Sequence, residues 1–316
     1  MDHIENIKPK DNQVVFATIG AFDGVHIGHQ YLISSMVKQA REKNAKTLVV
    51  TFHPHPVIVL KSIPMPFYIS SPDEKEQIFH DLGIDYVLCL KFNKDLAKYS
   101  PEQFLDIVLN EHPVKQFWLG VDFALGKNRS GTIPVLKEIG KEKGFTIVDF
   151  QHLEDDSEKV SSSKIRNWIL EGNFPQTTRA LNRYYSINGV IIHGDSRGKK
   201  IGFPTANLEI WKGKLLPSPG VYATWIEIDK KVYPSVTNVG VRPTFENQMD
   251  QPRVETFIHD FSQDIYNNQV KLHFVEKTRI EKKFESVELL IQQIQKDVKQ
   301  SEEILKHANQ PPGLFT

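Results

Sequence analysis

Two stretches of this 316-residue chain place glycine, histidine, basic and hydroxyl side chains at spacings that suit phosphate chemistry. The first is Gly20-Ala21-Phe22-Asp23-Gly24-Val25-His26-Ile27-Gly28-His29, between an apolar run and a helical stretch. Gly20, Gly24 and Gly28 let the backbone approach a ligand closely. A helix start offers amide hydrogens and positive potential to phosphate. His26 and His29, three residues apart, reach the same side of such a site, where they can donate to phosphate oxygens and stabilise charge as pyrophosphate departs. The string is neither the dinucleotide G-x-G-x-x-G nor the P-loop G-x-x-x-x-G-K-[ST]. No third ligand at a recognisable spacing makes the two histidines a metal site. Each piece alone has an ordinary alternative: a tight turn, a helix cap or a surface histidine.

The second stretch runs from Gly189 to Asn207 and includes His193-Gly194-Asp195-Ser196-Arg197-Gly198-Lys199-Lys200 followed by Phe203-Pro204-Thr205-Ala206-Asn207. Its basic glycine loop can wrap phosphates with amides and cations. Thr205 and Asn207, read as part of a P-T-x-N turn, supply neutral oxygens of the kind Mg²⁺ prefers. Separately, the loop and the turn are also what solvated turns look like. Two further segments bear on phosphate and proton transfer. Ser161-Ser162-Ser163-Lys164-Ile165-Arg166 brings hydroxyls, helix-start amides and a guanidinium together, which suits polyphosphate; a plain helix cap is the alternative. Glu255 sits in a strand-like run, where a carboxylate could take a proton from an alcohol or simply face solvent.

The elements that must position these residues fall into two kinds. Val14–Ile19, Thr47–Phe52, Tyr86–Leu90, Phe117–Gly120 and Phe145–Val148 are apolar runs alternating with amphipathic helical stretches. Buried strands alternating with helices predict a Rossmann-like α/β domain built on a parallel sheet. Ser71-Pro72 and Ser100-Pro101 each read as a helix start, and Gly83 as a helix end. After residue 183 the pattern changes. Ser186–His193, Tyr222–Ile228, Val232–Thr237, Val254–Asp260 and Val270–Val275 follow one another with little helix, and Asp229-Lys230 stands at a hairpin turn. That predicts an antiparallel β-barrel or sandwich, closed by a C-terminal helix over 286–307. The predicted domains are 1–182 and 183–316.

Composition narrows the partners. Lys+Arg and Asp+Glu both number 39, which argues against a dedicated nucleic-acid or anionic-membrane surface. The one cysteine, Cys89, sits in an apolar strand and reads as an inert core thiol. No basic-then-apolar leader and no apolar run of membrane-spanning length is evident, so a cytoplasmic protein is expected.

Taken as a whole, the first string resembles the G-x-F-D-G-V-H-x-G-H motif of the HxGH nucleotidyltransferases, in their FAD synthetase branch. Gly120-Val121-Asp122-Phe123-Ala124-Leu125-Gly126-Lys127-Asn128-Arg129-Ser130-Gly131 is similar to that branch's G-x-D-F-x-F-G-x-x-R-x-G segment. Leu125 stands where phenylalanine is usual, so a ring contact with the ligand is expected to be lost. Ser161–Arg166 resembles its S-S-T-x-I-R segment, and Phe52-His53-Pro54-His55-Pro56 its T-F-x-P-x-P. The second string resembles riboflavin kinase, as do Leu216–Ala223, Asn238–Phe245, Val254–Phe261, Asp264–Asn267 and Thr278–Phe284. Asn267 stands where glycine is usual, which asparagine can replace in a left-handed turn.

The resemblance covers about residues 14 to 297 and implies a bacterial-type bifunctional riboflavin kinase/FMN adenylyltransferase. ATP would be substrate at both sites, with Mg²⁺. Riboflavin, FMN and FAD would pass as substrates and products through a monomer or weak homo-oligomer. The implied catalytic residues are His26, His29, Arg166 and Glu255. ATP is expected at Gly20, Phe22, Asp23, Gly24, Gly28, Ser162 and Ser163 in one site, and at Gly194, Ser196, Arg197, Gly198 and Lys200 in the other. Flavin is expected at Asp122, Phe123, Phe203 and Arg279, and the metal at Thr205 and Asn207. A chain with one working half, or a flavin sensor that kept the folds, are the alternatives.

Overall fold

A computed structural model describes residues 13–151, 160–194, 198, 201–240 and 253–311. The chain forms two compact units, one of residues 1–64 with 70–160 and one of 65–69 with 161–316.

The first unit is built on a five-stranded sheet. Its strands are β1 (Val15–Ile19), β2 (Lys46–His53), β3 (Tyr86–Lys91), β4 (Val114–Gly120) and β7 (Thr146–Phe150), in the order β3-β2-β1-β4-β7. Every pairing is parallel. A small hairpin, β5 (Ala124–Leu125) with β6 (Gly131–Thr132), follows β4. Five helices connect the strands: α1 (Ile27–Glu42), α2 (Pro56–Lys61), α3 (Pro72–Asp81), α4 (Pro101–Glu111) and α5 (Ile133–Lys143).

The continuous apolar runs have the cause expected of them, since the sheet is buried on both faces. Val15, Ala17 and Ile19 of β1 pack into one cluster with Phe104, Val108 and Leu136. Phe16 points the other way, into a cluster with Ile33, Met36 and Phe79. Each of these side chains larger than alanine contributes about 1.5–3 kcal/mol on burial. The serine–proline starts are capping boxes: Ser71 Oγ accepts from the Glu74 amide at 3.2 Å, and Glu74 Oε2 accepts from the Ser71 amide at 2.9 Å. Ser100 and Gln103 repeat the arrangement on α4. Gly83, at φ +87°, ends the turn after α3. Cys89 lies on β3, only half-buried, and burial raises its thiol pKa despite the nearby Lys75 ammonium.

The second unit holds a closed antiparallel barrel. Its strands are β8 (Tyr185–Ile192), β9 (Thr205–Ile210), β10 (Gly220–Ile228), β11 (Lys231–Gly240), β12 (Arg253–Ile258) and β13 (Gln269–Ile280). They close in the order β10-β11-β12-β9-β8-β13. Inside, Thr224, Ser235, Thr237 and Thr256 are fully buried and satisfy one another at 2.8–2.9 Å. Outside, the C-terminal helix α8 (Val287–Lys306) packs on Ala223 and Trp225 through Leu305. Asp229 and Lys230 take φ +47° and +67° in the β10–β11 hairpin, the left-handed pair that a tight two-residue turn requires.

One feature of this unit differs from the sequence expectation. Thr205 and Asn207, read as part of a P-T-x-N turn, lie in the strand β9, because Ala206 and Leu208 alternate with Thr205, Asn207 and Glu209 between two partner strands. Helices α6 (Ser162–Glu171) and α7 (Phe174–Leu181) pack in the barrel unit. The fully buried Phe174 of α7 stacks on Phe274 at 5.0 Å and meets Tyr222 edge-on at 5.6 Å. Residues 65–69 join the same unit, where the Phe67 and Tyr68 amides both donate to the Gly213 carbonyl.

Candidate active sites

In the first unit β1 lies between β2 and β4, so the strand order reverses at the β1/β4 boundary. Ligands of open α/β sheets bind in the crevice beyond the strand ends at such a point. Both glycine-bearing motifs leave the sheet there: residues 20–29 after β1, and residues 120–131 after β4.

The first loop is tightly wound. Phe22, Gly24 and Val25 have φ of +49°, +79° and +39°. A β-branched residue in that region is strained, and strain of this kind gathers at functional sites. The Phe22 ring lies over Gly20, where an added Cβ would sit 2.9 Å from the ring, so only glycine fits. The Phe22 ring meets His29 edge-on at 5.1 Å. His26 occupies the N-cap position of α1 and is 6% exposed. Its ring stacks on His29, with centroids 3.7 Å apart. Gly28 lies in the first turn of α1, between the two. Asp23 is buried, and its Oδ1 accepts from the Ser70 amide at 3.3 Å. The stacked imidazoles stand at the start of α1, the positive end of its dipole.

On the neighbouring loop Asp122 is exposed, and its carbonyl accepts from Arg129 at 3.0 Å. Phe123 packs partly into the core. Leu125 is 9% exposed, beside Gly131 and inside the core. His55 caps α2 through Nδ1, and burial, helped by the Lys75 charge, lowers the pKa of His53.

Ser162, Ser163 and Arg166 lie on α6 in the second unit. Ser161 is the cap, accepting from the Lys164 amide at 3.3 Å. Arg166 donates to the Phe67 carbonyl at 3.1 Å, and its guanidinium lies over the Phe67 ring at 3.8 Å.

The barrel carries its own constellation. Reading across the strands, Arg279 pairs Val221, Val221 pairs Asn238, Asn238 pairs Glu255, and Glu255 pairs Asn207. Directly paired residues share a face, so these five form one row on the outside of the barrel. Four strand spacings of about 4.8 Å each separate its ends. Glu255 Oε1 accepts from Arg253 at 3.1 Å. Asn207 is 8% exposed, and among the described residues no donor reaches its buried Oδ1. Gly194 leaves room for that side chain, because a Cβ there would stand 2.1 Å from Asn207 Nδ2. Gly198 lies beside Thr205, with its carbonyl accepting from the Phe203 amide at 2.9 Å. The Phe203 ring meets Phe257, which pairs Thr205. Ser196, Arg197 and Lys200 lie outside the described residues.

At the far end of the row Arg279 makes a two-pronged ion pair with the buried Asp297 of α8, at 2.9 and 2.6 Å. Two residues escaped the sequence reading. Asn238 lies inside a quoted motif, and its pairing with Glu255 singles it out. Lys75 carried no motif signal; it is a buried lysine beside the histidine loop.

The family model for FAD synthetase matches residues 8–164, and that for riboflavin kinase matches residues 181–305. The bifunctional riboflavin kinase/FMN adenylyltransferase of Bacillus subtilis is 37% identical over 294 residues, covering 92% of both chains. The chain belongs to this family. The protein of the same name from Escherichia coli K12 is 31% identical and covers 93% of this chain and 94% of its own. A crystal structure from Streptococcus pneumoniae, described as a macrolide-efflux protein, superposes with a TM-score of 0.85 at 30% identity, covering 96% of this chain and 97% of that one. Among the described residues no helix is long and apolar enough to cross a membrane. Asn267, the family's second departure here, has φ +65°, the left-handed conformation expected of it.

Proposed function

We propose that this chain makes flavin cofactors in two ATP-dependent steps, phosphorylating riboflavin to FMN and then adenylylating FMN to FAD. The observation that carries the reading is that one chain holds two separate constellations suited to phosphate chemistry: the stacked His26–His29 pair at a sheet switch point, and the Asn207–Glu255 pairing on the barrel.

In the second step an FMN phosphate oxygen forms a bond to the α-phosphorus of ATP as the bond to pyrophosphate breaks. The nucleophile is already an anion, so the site has to align the partners and neutralise charge. His26, His29 and the amides at the start of α1 donate to the leaving oxygens. Gly20, Phe22, Asp23, Gly24 and Gly28 shape the loop around the nucleotide. Asp122 and Phe123, on the adjacent loop, are assigned to the flavin. Ser162, Ser163 and Arg166 keep a phosphate-binding role on the strength of their motif.

In the first step Glu255 takes the proton of the ribityl 5′-hydroxyl as its oxygen attacks the γ-phosphorus of ATP and ADP leaves. Thr205 and Asn207 fit Mg²⁺: both donors are neutral oxygens, and the buried Oδ1 of Asn207 suits a hard cation. Such an ion would neutralise phosphate charge there. Gly194 and Gly198 line the nucleotide side, Phe203 packs against the flavin side, and Arg279 marks the other end of the row. Ser196, Arg197 and Lys200 are assigned to phosphate by motif alone.

The protein is expected to act in the cytoplasm as a monomer or weak homo-oligomer, without nucleic acid or membrane. The deciding experiment is chromatography of riboflavin, ATP and Mg²⁺ incubated with purified protein. FMN and FAD are expected in sequence. Neither product would overturn the enzyme reading, and FAD from supplied FMN alone would leave one working half.

A further inference from the structure

We propose that Lys75 is a positioning residue of adenylyl transfer: its ammonium group ties the histidine-bearing loop to β2 and α3, and so sets the geometry of the His26–His29 pair. The inference rests on the assignment of adenylyl transfer to that loop.

Lys75 is 8% exposed. Lysines are almost never buried unless their charge is partnered, because desolvation costs several kcal/mol. Here Nζ donates to Thr51 Oγ1 at 2.8 Å and to the Ala21 carbonyl at 3.1 Å. Thr51 Oγ1 in turn donates to the same carbonyl at 3.2 Å, closing a triangle between α3, the end of β2 and the loop. Ala21 immediately precedes Phe22, whose left-handed backbone lays its ring over Gly20 and against His29. On the other side of the loop, Asp23 accepts from the Ser70 amide just before α3. The start of α3 thus grips the loop at two points, and the ring that braces His29 lies between them. A methionine would fill the space of Lys75 without the desolvation cost, so an ammonium in that place answers a need other than packing.

The charges around it are mixed. Asp23 on the loop and Cys89 on β3 favour its protonated form; Glu76 of α3 lies near Cys89, and His53 of β2 feels the ammonium as a repulsive neighbour. Burial outweighs the favourable partners and lowers the pKa of Lys75 below that of an ordinary lysine. The charge-assisted bonds are therefore present below that lowered value and weaken as pH rises through it.

The test measures FAD formation from FMN and ATP on the full chain between about pH 6 and 10, with riboflavin phosphorylation assayed in the same samples. Lys75→Met is expected to lower kcat for FAD about 100-fold with little change in KM, to lose the alkaline fall in rate, and to leave FMN formation unchanged. Thr51→Val removes one acceptor of the ammonium and is expected to lower kcat several-fold and move the alkaline fall to lower pH. His29→Ala is the control, expected to abolish FAD formation alone. FAD formation that survives in His29→Ala overturns the underlying site assignment. With His29→Ala inactive, a Lys75→Met rate within about threefold of wild type overturns the proposal. So does a Thr51→Val enzyme with unchanged rate and pH profile, including where Lys75→Met fails to fold, since Lys75 would then be structural only.

Discussion

Glu255 sits opposite Asn207, and Arg253 holds one of its carboxylate oxygens at 3.1 Å. Glutamine keeps that shape and can still meet Arg253 through its carbonyl, but it cannot take a proton. Glu255→Gln is expected to slow FMN formation about 100-fold or more, while FAD formation from supplied FMN persists; timed product chromatography measures both. Gly194→Ala attacks the same site indirectly. The new methyl would stand 2.1 Å from Asn207 Nδ2, so the amide must swing away from its place. FMN formation is then expected to fall at least about tenfold and to need more Mg²⁺, which a metal titration at fixed ATP reads. The histidines and the glutamate were legible in the sequence because each sits in a string with few other uses. Lys75 was not, because a lysine four residues beyond a capping serine looks like any solvent-facing helix position. Only the fold turns it inward.

The helices announced by Ser-Pro pairs were legible because a cap is local chemistry, complete within four residues. The strand β9 was not, because its partners are β8 and β12, and β12 lies about fifty residues away along the chain. The short hairpin β5–β6 and helix α2 also escaped, each too brief for a periodic signal.

One tie between elements makes a testable statement about stability. Asp85, just before β3, accepts from Arg41 of α1 at 2.8 Å and Lys46 of β2 at 2.9 Å, and from both the amide and the hydroxyl of Thr47. Burial alone would raise its pKa, but these bonds prevail and hold it at about 2, against an ordinary 3.8. A carboxylate with a depressed folded pKa stabilises above its unfolded value, and that contribution is lost as pH falls from about 4 to 2. Asp85→Asn is expected to cost about 1 kcal/mol at pH 5, partial exposure having been allowed for. It should also flatten the acid dependence. Urea unfolding followed by circular dichroism at both ends of that window checks it; parallel acid profiles for the two proteins would refute the tie.

At the scale of the whole molecule, composition and periodicity could establish two domains, one α/β and one antiparallel, in that order. Which helices belong to which unit was not legible. Phe174 reads as an ordinary helix residue until Phe274 and Tyr222, far along the chain, enclose it. The assignment of one activity to each unit can be tested from the end of the chain farthest from the histidine loop. Asp297 of α8 is 3% exposed and binds Arg279 through both oxygens, with Gln293 donating to one of them at 2.8 Å. Removing one member of such a pair leaves the other partly buried and uncompensated, a loss of about 3 kcal/mol. Arg279 stands at one end of the row that ends in Asn207, so the loss falls on the barrel and on the face proposed for the substrate. Asp297→Ala is therefore expected to raise the KM for riboflavin at low temperature and to lose FMN formation on mild heating. FAD formation from supplied FMN should outlast it under the same heating. If both activities instead disappear together, the two sites do not draw their stability from separate units, and the division of labour argued from the fold fails.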